Sequence, residues 1–570
     1  MARSPSGRAP RALVALPEAK GSTRPSSRDA GYPPLGLAEM FLDSVASAPS
    51  APLIDFVGRR LTYARIAREA QAFAVGLQRR GIGKGDRVGL FLPNVPLYLS
   101  AYYGALLAGA TVVNFAPMWG PRQLSRALGE TSPKVVVGLD VRAMLDVLAA
   151  AQRDAPIETV VMGSLSAQLP SRPGPLLLAK LRTGRLRGAN VVAVSDFLAA
   201  GDPQPVAIDP SHDVAVIQYT SGATGHPRAV CLSHQNLTAN ARQLEAVDPW
   251  HGKRDVMIGV LPLAGIFGNT AVLNRTVLDR GCIALLPRFE PRQVLRTIAR
   301  TRATTMPGVP TMFQAMLDDR ALGRTSLASL RACISGGAPL SAPLKARFEA
   351  ASGAKIVEGY GLAEAAGVVS VNPLDGPAGT GTVGKPLPET RWKLLDPDDP
   401  AREVPVGAVG ELAVAGPQVM LGYWNDAAGD AAGFVGEWLR TGDFATLDAD
   451  GCATIVDRRA DIMHVAGHRV FPSRIEEILL THDAVREAVV IGIPVAFRGE
   501  APKAYVTLRG DTLDTGESLR NWLNGRLLPH QRVLAIEVRD SLPRVAVGKL
   551  DRRALRAEEA AQAAKFSSPG

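Results

Sequence analysis

The 570-residue sequence predicts an α/β protein of at least two domains. The predicted body is a large N-terminal domain of parallel sheets flanked by helices plus a β-rich subdomain, followed by a small α+β C-terminal domain. Three observations carry this. The length exceeds what one ordinary core serves. After residue 50, apolar strands alternate with helical patterns, each strand ending in a turn, which is the signature of parallel sheets covered on both faces. From Gly381 to Leu447 the texture shifts to short β-rich pieces such as "GELAVAG", and residues 460–556 then carry strands and helices of their own. Domain limits of 34–457 and 458–556 follow, with disordered ends at 1–33 and 557–570.

Along the chain, "MARSPSGRAPRALVALPEAKGSTRPSSRDAGYPP" is rich in Ser, Arg, Pro and Gly, a composition of disorder, and its apolar patch is too short for a secretory core. From Val88 to Pro121 no charge occurs, which imitates a membrane span. Prolines and glycines punctuate it, however. Strand 88–92, Asn94 as helix cap, helix 95–108, Gly109 as stop and strand 111–115 form a buried βαβ unit, whose strands need no polar face. "AVIQYT", "MIGVLPL", "CIALLP", "ATTMPGVP", "ACISGGAP" and "AKIVEGYG" read as further strands; ligands of such sheets sit at the carboxyl ends, where their turns cluster. In the last domain, "EAVVIGI" and "PKAYVTL" are strands, and "PSRIEEILLTH" and "ESLRNWLNGRL" are helices.

Composition excludes several classes. Apolar residues at 46% and charged residues at 21% describe a globular protein. The four cysteines (Cys231, Cys282, Cys333, Cys452) form no CxxC pair, so neither a zinc site nor a disulfide frame is expected, and a reducing cytoplasm fits. Of the +10 formal charge, residues 1–33 supply six Lys/Arg against two acids. Elsewhere the signs interleave without basic runs among aromatics, so no nucleic-acid partner is expected. A basic background suits a polyphosphate substrate or peripheral contact with an anionic membrane. Oligomeric state is left open, a homodimer included.

The chemistry starts at "YTSGATGHPRAV", Tyr219–Val230. Thr220, Ser221 and Thr224 offer hydroxyls, Gly222 and Gly225 let backbone N–H groups approach an anion, and Arg228 adds a fixed positive charge. No Lys-Ser/Thr follows the glycines, so it is not a Walker A loop. The serine precedes the first glycine, so it is not a nucleophile elbow. His234 in "LSHQN" shapes a helix start.

Four later stretches give the loop its context: "EGYGLAEAAG" (Glu358–Gly367), "EWLRTGDFATLDADG" (Glu437–Gly451), "IVDRRADIMHVAGHRVFPSRIEE" (Ile455–Glu477) and "LPRVAVGKLDRRALR" (Leu542–Arg556). In this order and spacing, over residues 40–556, they resemble the adenylate-forming superfamily of acyl-CoA synthetases, peptide-synthetase adenylation domains and luciferases. "IVDRRAD" and "GEWLRTGD" are most like long- and medium-chain fatty-acyl-CoA ligases. The resemblance implies ATP, Mg²⁺ and coenzyme A as cofactors or co-substrates, a carboxylic acid as substrate, and reaction through an acyl-adenylate. A carrier protein's thiol in place of coenzyme A, and a relative that binds without turnover, are its alternatives.

It also implies roles. Thr220, Ser221, Gly222, Ala223, Thr224 and Gly225 would cradle the phosphates, with Arg228 where the family has lysine. Gly336, Gly337, Ala338 and Pro339 would frame the adenine, and Tyr360, flanked by Glu358, Gly359 and Gly361, would stack on it. Glu364 would hold Mg²⁺ with Thr220. Asp443 would take the ribose hydroxyls, and Arg458 the ribose or phosphate side. Gly467 would face the thiol, and Lys549 would neutralise charge at the carboxylate and α-phosphate. Five departures accompany the match: Ala223 for a loop hydroxyl, Arg228 for lysine, Ala363 for threonine in "YGxTE", Ala264 and Gly265 at the acyl gate, and Ala460 at the hinge. The first and third each remove one hydrogen bond to a charged group, about 1.5–3 kcal/mol apiece.

Overall fold

In the computed structural model the described residues are 31–170, 183–220, 227–250, 254–375, 379, 381–495, 499–510, 512–544 and 550–567. Two large sheets form the body. One has nine strands, in the spatial order Lys385–Pro386, Ser370–Val371, Lys355–Tyr360, Ala332–Gly336, Thr305–Gly308, Val256–Gly259, Cys282–Leu285, Pro52–Phe56, Arg59–Thr62. Its middle pairs are parallel, and antiparallel pairs close both edges. The second has eight strands, with Val214–Tyr219 between Ala229–Ser233 and Thr111–Asn114.

The largest apolar cluster draws on both sheets, with Leu53, Ile283 and Leu285 from one and Val88, Val112 and Val216 from the other. Helix Pro96–Leu107 joins that cluster and is buried through Leu106 on every face, as an apolar helix without a polar stripe must be. Its polar atoms are satisfied internally. Tyr98, Tyr102 and Tyr103 donate to Asn114 (2.7 Å), Asn269 (3.2 Å) and Asn274 (3.4 Å). The charge-free segment is therefore core, and no helix among the described residues is long and apolar enough to cross a membrane.

The expected βαβ unit stands, with strands Arg87–Leu90 and Thr111–Asn114 and with Gly109 ending the helix at φ +80°. Asn94 is a correction. Val95 occupies the N-cap position. The Asn94 side chain instead donates to Gly259 O (3.3 Å) and Leu261 O (2.9 Å) and accepts from Leu263 N (2.9 Å), binding one sheet to the other. A buried amide satisfies more of its groups by bridging two segments than by capping one helix.

The β-rich subdomain is a five-stranded antiparallel sheet of Arg391–Leu395, Gly410–Ala415, Trp438–Leu447, Phe434–Val435 and Ala453–Arg458. Arg458 still lies in this sheet, opposite Asp443, so the expected boundary before it falls within the ladder. The C-terminal unit has a sheet of its own, in which Val485–Val495 pairs with Gly499–Leu508, covered by helices Pro472–Leu480 and Gly516–Asn524.

The structure corrects the expected disorder at residues 31–33 and 557–567. Residues 1–30 lie outside the described residues, but Tyr32 O and Pro33 O accept bonds from Gln235 and Arg242 (2.8 and 2.9 Å). At the other end, helix Arg552–Ser567 runs through most of the expected tail. Glu559 binds Lys503 and Tyr505 (both 2.5 Å) and Glu558 binds Arg539 (2.7 Å), so charge pairing fixes a segment whose composition reads as solvated.

Candidate active site

The strand ends meet as α/β topology requires. Strand Val214–Tyr219 releases Thr220 at its carboxyl end, and Ala229–Ser233 returns beside it. Thr220 N donates to Arg228 O and Arg228 N donates to Thr220 Oγ1, both at 3.0 Å, so these two residues close the base of the loop. Ser221, Gly222, Ala223, Thr224 and Gly225 lie outside the described residues.

The parallel strands Ala332–Gly336 and Lys355–Tyr360 set Ser335 beside Glu358 and Gly336 beside Gly359. The turn Gly337–Pro339 thus adjoins Tyr360, as a site built from both requires. Ser335 Oγ is buried without a partner among the described residues. Glu358 accepts from Leu340 N at 3.2 Å, and burial pushes its carboxyl up to about 7. Beyond Tyr360 the chain reverses so tightly that a Cβ on Gly361 would lie 1.8 Å from Gly367 O. Only glycine fits there, and the turn delivers Glu364 on a short 3₁₀ element, Ala363–Ala365.

Tyr360, Asp443 and Arg458 form one chain. The Tyr360 hydroxyl donates to Asp443 Oδ2 at 2.6 Å, and Arg458 Nε lies 3.1 Å from Asp443 Oδ1. Burial and the Asp443 charge drive the Tyr360 hydroxyl well above its ordinary range, so it stays a donor. The Asp443 side chain is buried, whereas Arg458 stands half exposed. Thr441 Oγ1 accepts from Asp443 N at 3.1 Å and holds the turn.

Glu364 accepts from the Tyr423 hydroxyl at 3.0 Å, while Arg228 and Arg458 pair elsewhere, with Asp426 and Asp443. Its carboxyl is pushed up, first by burial. A desolvated carboxylate that takes one phenol bond and pairs with neither neighbouring arginine suits a hard divalent ion such as Mg²⁺. The Arg228 guanidinium lies 3.5 Å from the centre of the Tyr423 ring and 3.3 Å from Asp426. Tyr423 and Asp426 were not among the sequence expectations. "GYWND" carries no spacing that marks it, and only the pairing of Gly422–Tyr423 with Ala229–Ser233 brings it here.

The segment containing Ala264 and Gly265 is tied to the loop strand by Gln218 Nε2 donating to Ala264 O at 2.9 Å. It leads into a π-helix, Gly268–Asn274, a form enriched at functional sites. Gly467 is placed apart from the strand ends. It lines a cavity of about 600 Å³ with Asp398, Val409, Phe444, His464, His468 and Phe471, and Tyr360, Glu364 and Arg228 do not line it. Lys549 lies outside the described residues. Around Ala460, Asp457 accepts from Ser473 (2.7 Å), and Asp461 pairs with Arg552 (3.5 Å) and Arg556 (3.0 Å), so a hydrogen bond and two ion pairs flank the position expected to be the hinge. His234 begins helix His234–Ala246 and accepts from Leu37 N at 3.3 Å, with burial lowering its pKa to about 4, a structural role as expected. The carboxylates of Asp248, Asp255 and Asp279 cluster, but Arg275 and Arg331 pair with them.

Residues 41–424 match the AMP-binding enzyme family and residues 474–549 match its C-terminal domain family. A long-chain-fatty-acid–CoA ligase of Bacillus subtilis (strain 168) is 35% identical over 533 residues, covering 92% of this chain and 94% of that one. A feruloyl-CoA synthase of an Amycolatopsis species is 32% identical over 520 residues, covering 90% and 97%. The crystal structure of ATP-bound MatB from Rhodopseudomonas palustris superposes with a TM-score of 0.80 at 27% identity, over 92% of this chain and 99% of that one. The ordered carboxyl strand ends, the tyrosine–aspartate–arginine chain and these matches agree: the chain belongs to the AMP-binding family of adenylate-forming enzymes.

Proposed function

We propose that the protein is an ATP-dependent acid–thiol ligase that converts a long- or medium-chain fatty acid into its coenzyme A thioester. The observation that carries this is the Arg458–Asp443–Tyr360 chain standing beside the buried Glu364 carboxylate at the ends of the parallel strands. The names of the relatives support the substrate class, since long-chain-fatty-acid–CoA ligases align over nearly the whole chain.

In the first half-reaction a carboxylate oxygen attacks the α-phosphorus of ATP and pyrophosphate leaves. In the second, a thiol sulfur attacks the acyl carbon and AMP leaves with the electrons of the broken C–O bond. An anion must approach an anion in the first step, so the site's work is positioning and charge stabilisation. Asp443 accepts the ribose hydroxyls while Tyr360 and Arg458 hold its carboxylate still. The Ser335–Pro339 strand end and Tyr360 enclose the base. Thr220, whose hydroxyl and amide are fixed by Arg228, opens the phosphate loop. Mg²⁺, when bound by Glu364 with Thr220 nearby, supplies charge neutralisation at the phosphates. Lys549 neutralises the attacking carboxylate, and the C-terminal unit then turns about the Ala460 region to bring Gly467 to the thiol.

The test is AMP and pyrophosphate formation with coenzyme A across saturated C2–C18 acids. A maximum at medium or long chain is expected. Turnover confined to aromatic or short dicarboxylic acids would overturn the substrate class, and AMP release that ignores coenzyme A would overturn the thiol.

A further inference from the structure

Tyr423 is held from four directions. It pairs with Val230 across the sheet edge, and its N–H donates to Asp430 Oδ1 at 2.7 Å. Its hydroxyl donates to Glu364 Oε1 at 3.0 Å, and its ring faces the Arg228 guanidinium at 3.5 Å. The same segment grips the Glu364 backbone, because Met420 N donates to Glu364 O at 2.9 Å.

Arg228 is fixed in turn. Asp426 Oδ2 lies 3.3 Å from its Nη2, while Asp426 Oδ1 accepts from Gly429 N at 2.8 Å and caps helix Ala427–Gly433. A Cβ on Gly429 would stand 2.0 Å from Arg228 Nη2, so the helix start is cut back to glycine where the guanidinium lies. A planar guanidinium stacks on a ring and pairs at its edge together; the compact ammonium of lysine does not do both.

From this geometry we infer that Tyr423 is a positioning residue for the nucleotide–metal site. Its hydroxyl fixes one oxygen of Glu364 so that the carboxylate is already oriented toward the divalent ion that accompanies ATP. Arg228 acts through Tyr423, clamping the face of its ring, and Asp426 and Gly429 seat Arg228. The arginine that stands where the family has lysine is thereby explained, because the cation at 228 serves the carboxylate's orientation. A carboxylate held in advance loses less conformational freedom when the ion binds. The inference rests on the ligase reading.

The experiment uses the full-length chain and Tyr423→Phe, which deletes the donor but keeps the ring under Arg228, with Gly429→Ala and Arg228→Lys as second variants. Mn²⁺ binding is titrated calorimetrically in the presence of a non-hydrolysable ATP analogue. The Mg²⁺ dependence of ATP–pyrophosphate exchange is measured alongside the KM for acid. Tyr423→Phe is expected to raise the metal concentration at half-saturation about tenfold in both assays, the loss of one hydrogen bond to a charged group, while the acid KM stays within about twofold. Gly429→Ala and Arg228→Lys shift it in the same direction. Wild-type metal dependence in Tyr423→Phe, or an equal weakening of acid and metal, overturns the assignment. Absence of exchange in the wild-type protein would instead sink the ligase reading, and the Mn²⁺ titration would still decide the role of Tyr423.

Discussion

Asp443→Asn isolates the charge at the centre of the proposed nucleotide site. The substitution keeps size and one acceptor oxygen but removes the negative charge that receives the Tyr360 hydroxyl at 2.6 Å and faces Arg458 at 3.1 Å. Two effects compete. The Arg458 pair is half open to solvent, so its loss costs stability at most about 1 kcal/mol. The Asp443 side chain is only 6% exposed, so bonds that it accepts from bound ribose form in a desolvated setting. One hydrogen bond to a charged group is worth about 1.5–3 kcal/mol, which converts to a rise of about 10- to 150-fold in the KM for ATP. ATP–pyrophosphate exchange at saturating acid measures kcat and KM separately, with Tyr360→Phe and the double variant completing a cycle. A coupling of about 0.5–3 kcal/mol between the two sites is expected, because they share a bond. An unchanged KM for ATP in Asp443→Asn, together with additive single effects, would refute the assignment of this chain to the nucleotide.

Glu358 gives a pH prediction. Burial raises its carboxyl to about 7, above its ordinary value near 4.5, so the folded state holds a proton that the unfolded state releases between those two values. Stability therefore falls as pH rises from about 4.5 to 7, by up to about 3 kcal/mol from this group, and Glu358→Gln should flatten that part of a denaturation-versus-pH curve. Asn94→Ala strips three bonds from a side chain that bridges the sheets and leaves Leu263 N unpaired, so a loss of about 2–4 kcal/mol is expected in urea unfolding; less than about 0.5 kcal/mol would deny the clamp. Truncation after Arg556 removes Glu558 and Glu559 from Arg539, Lys503 and Tyr505. Hydrogen exchange should then speed up in strand Gly499–Leu508, and unchanged protection would mean that the helix end only decorates the surface.

The family was legible because the motifs that mark it are local. Hydroxyls and glycines after an apolar strand, an aromatic four residues before a carboxylate, and an aspartate in a glycine turn are each weak alone, and their joint order and spacing carried the resemblance that implied their roles. Periodicity likewise gave the strand–turn–helix body and showed the charge-free 88–121 stretch to be core. What was missed is non-local. Asn94 sits where a cap belongs, yet its partners, Gly259, Leu261 and Leu263, lie far along the chain. The C-terminal helix looks solvated until Lys503 and Arg539 are set beside it.

The sequence by itself determined the class of chemistry, because five short motifs in one order and spacing resemble the adenylate-forming superfamily, and the residues that carry such a resemblance are local. Only the tertiary structure decided how those groups are held. Tyr423 reaches Glu364, and Arg228 reaches Tyr423, because two strands distant in sequence pair at a sheet edge, and such a pairing is set by packing and register that no short stretch encodes.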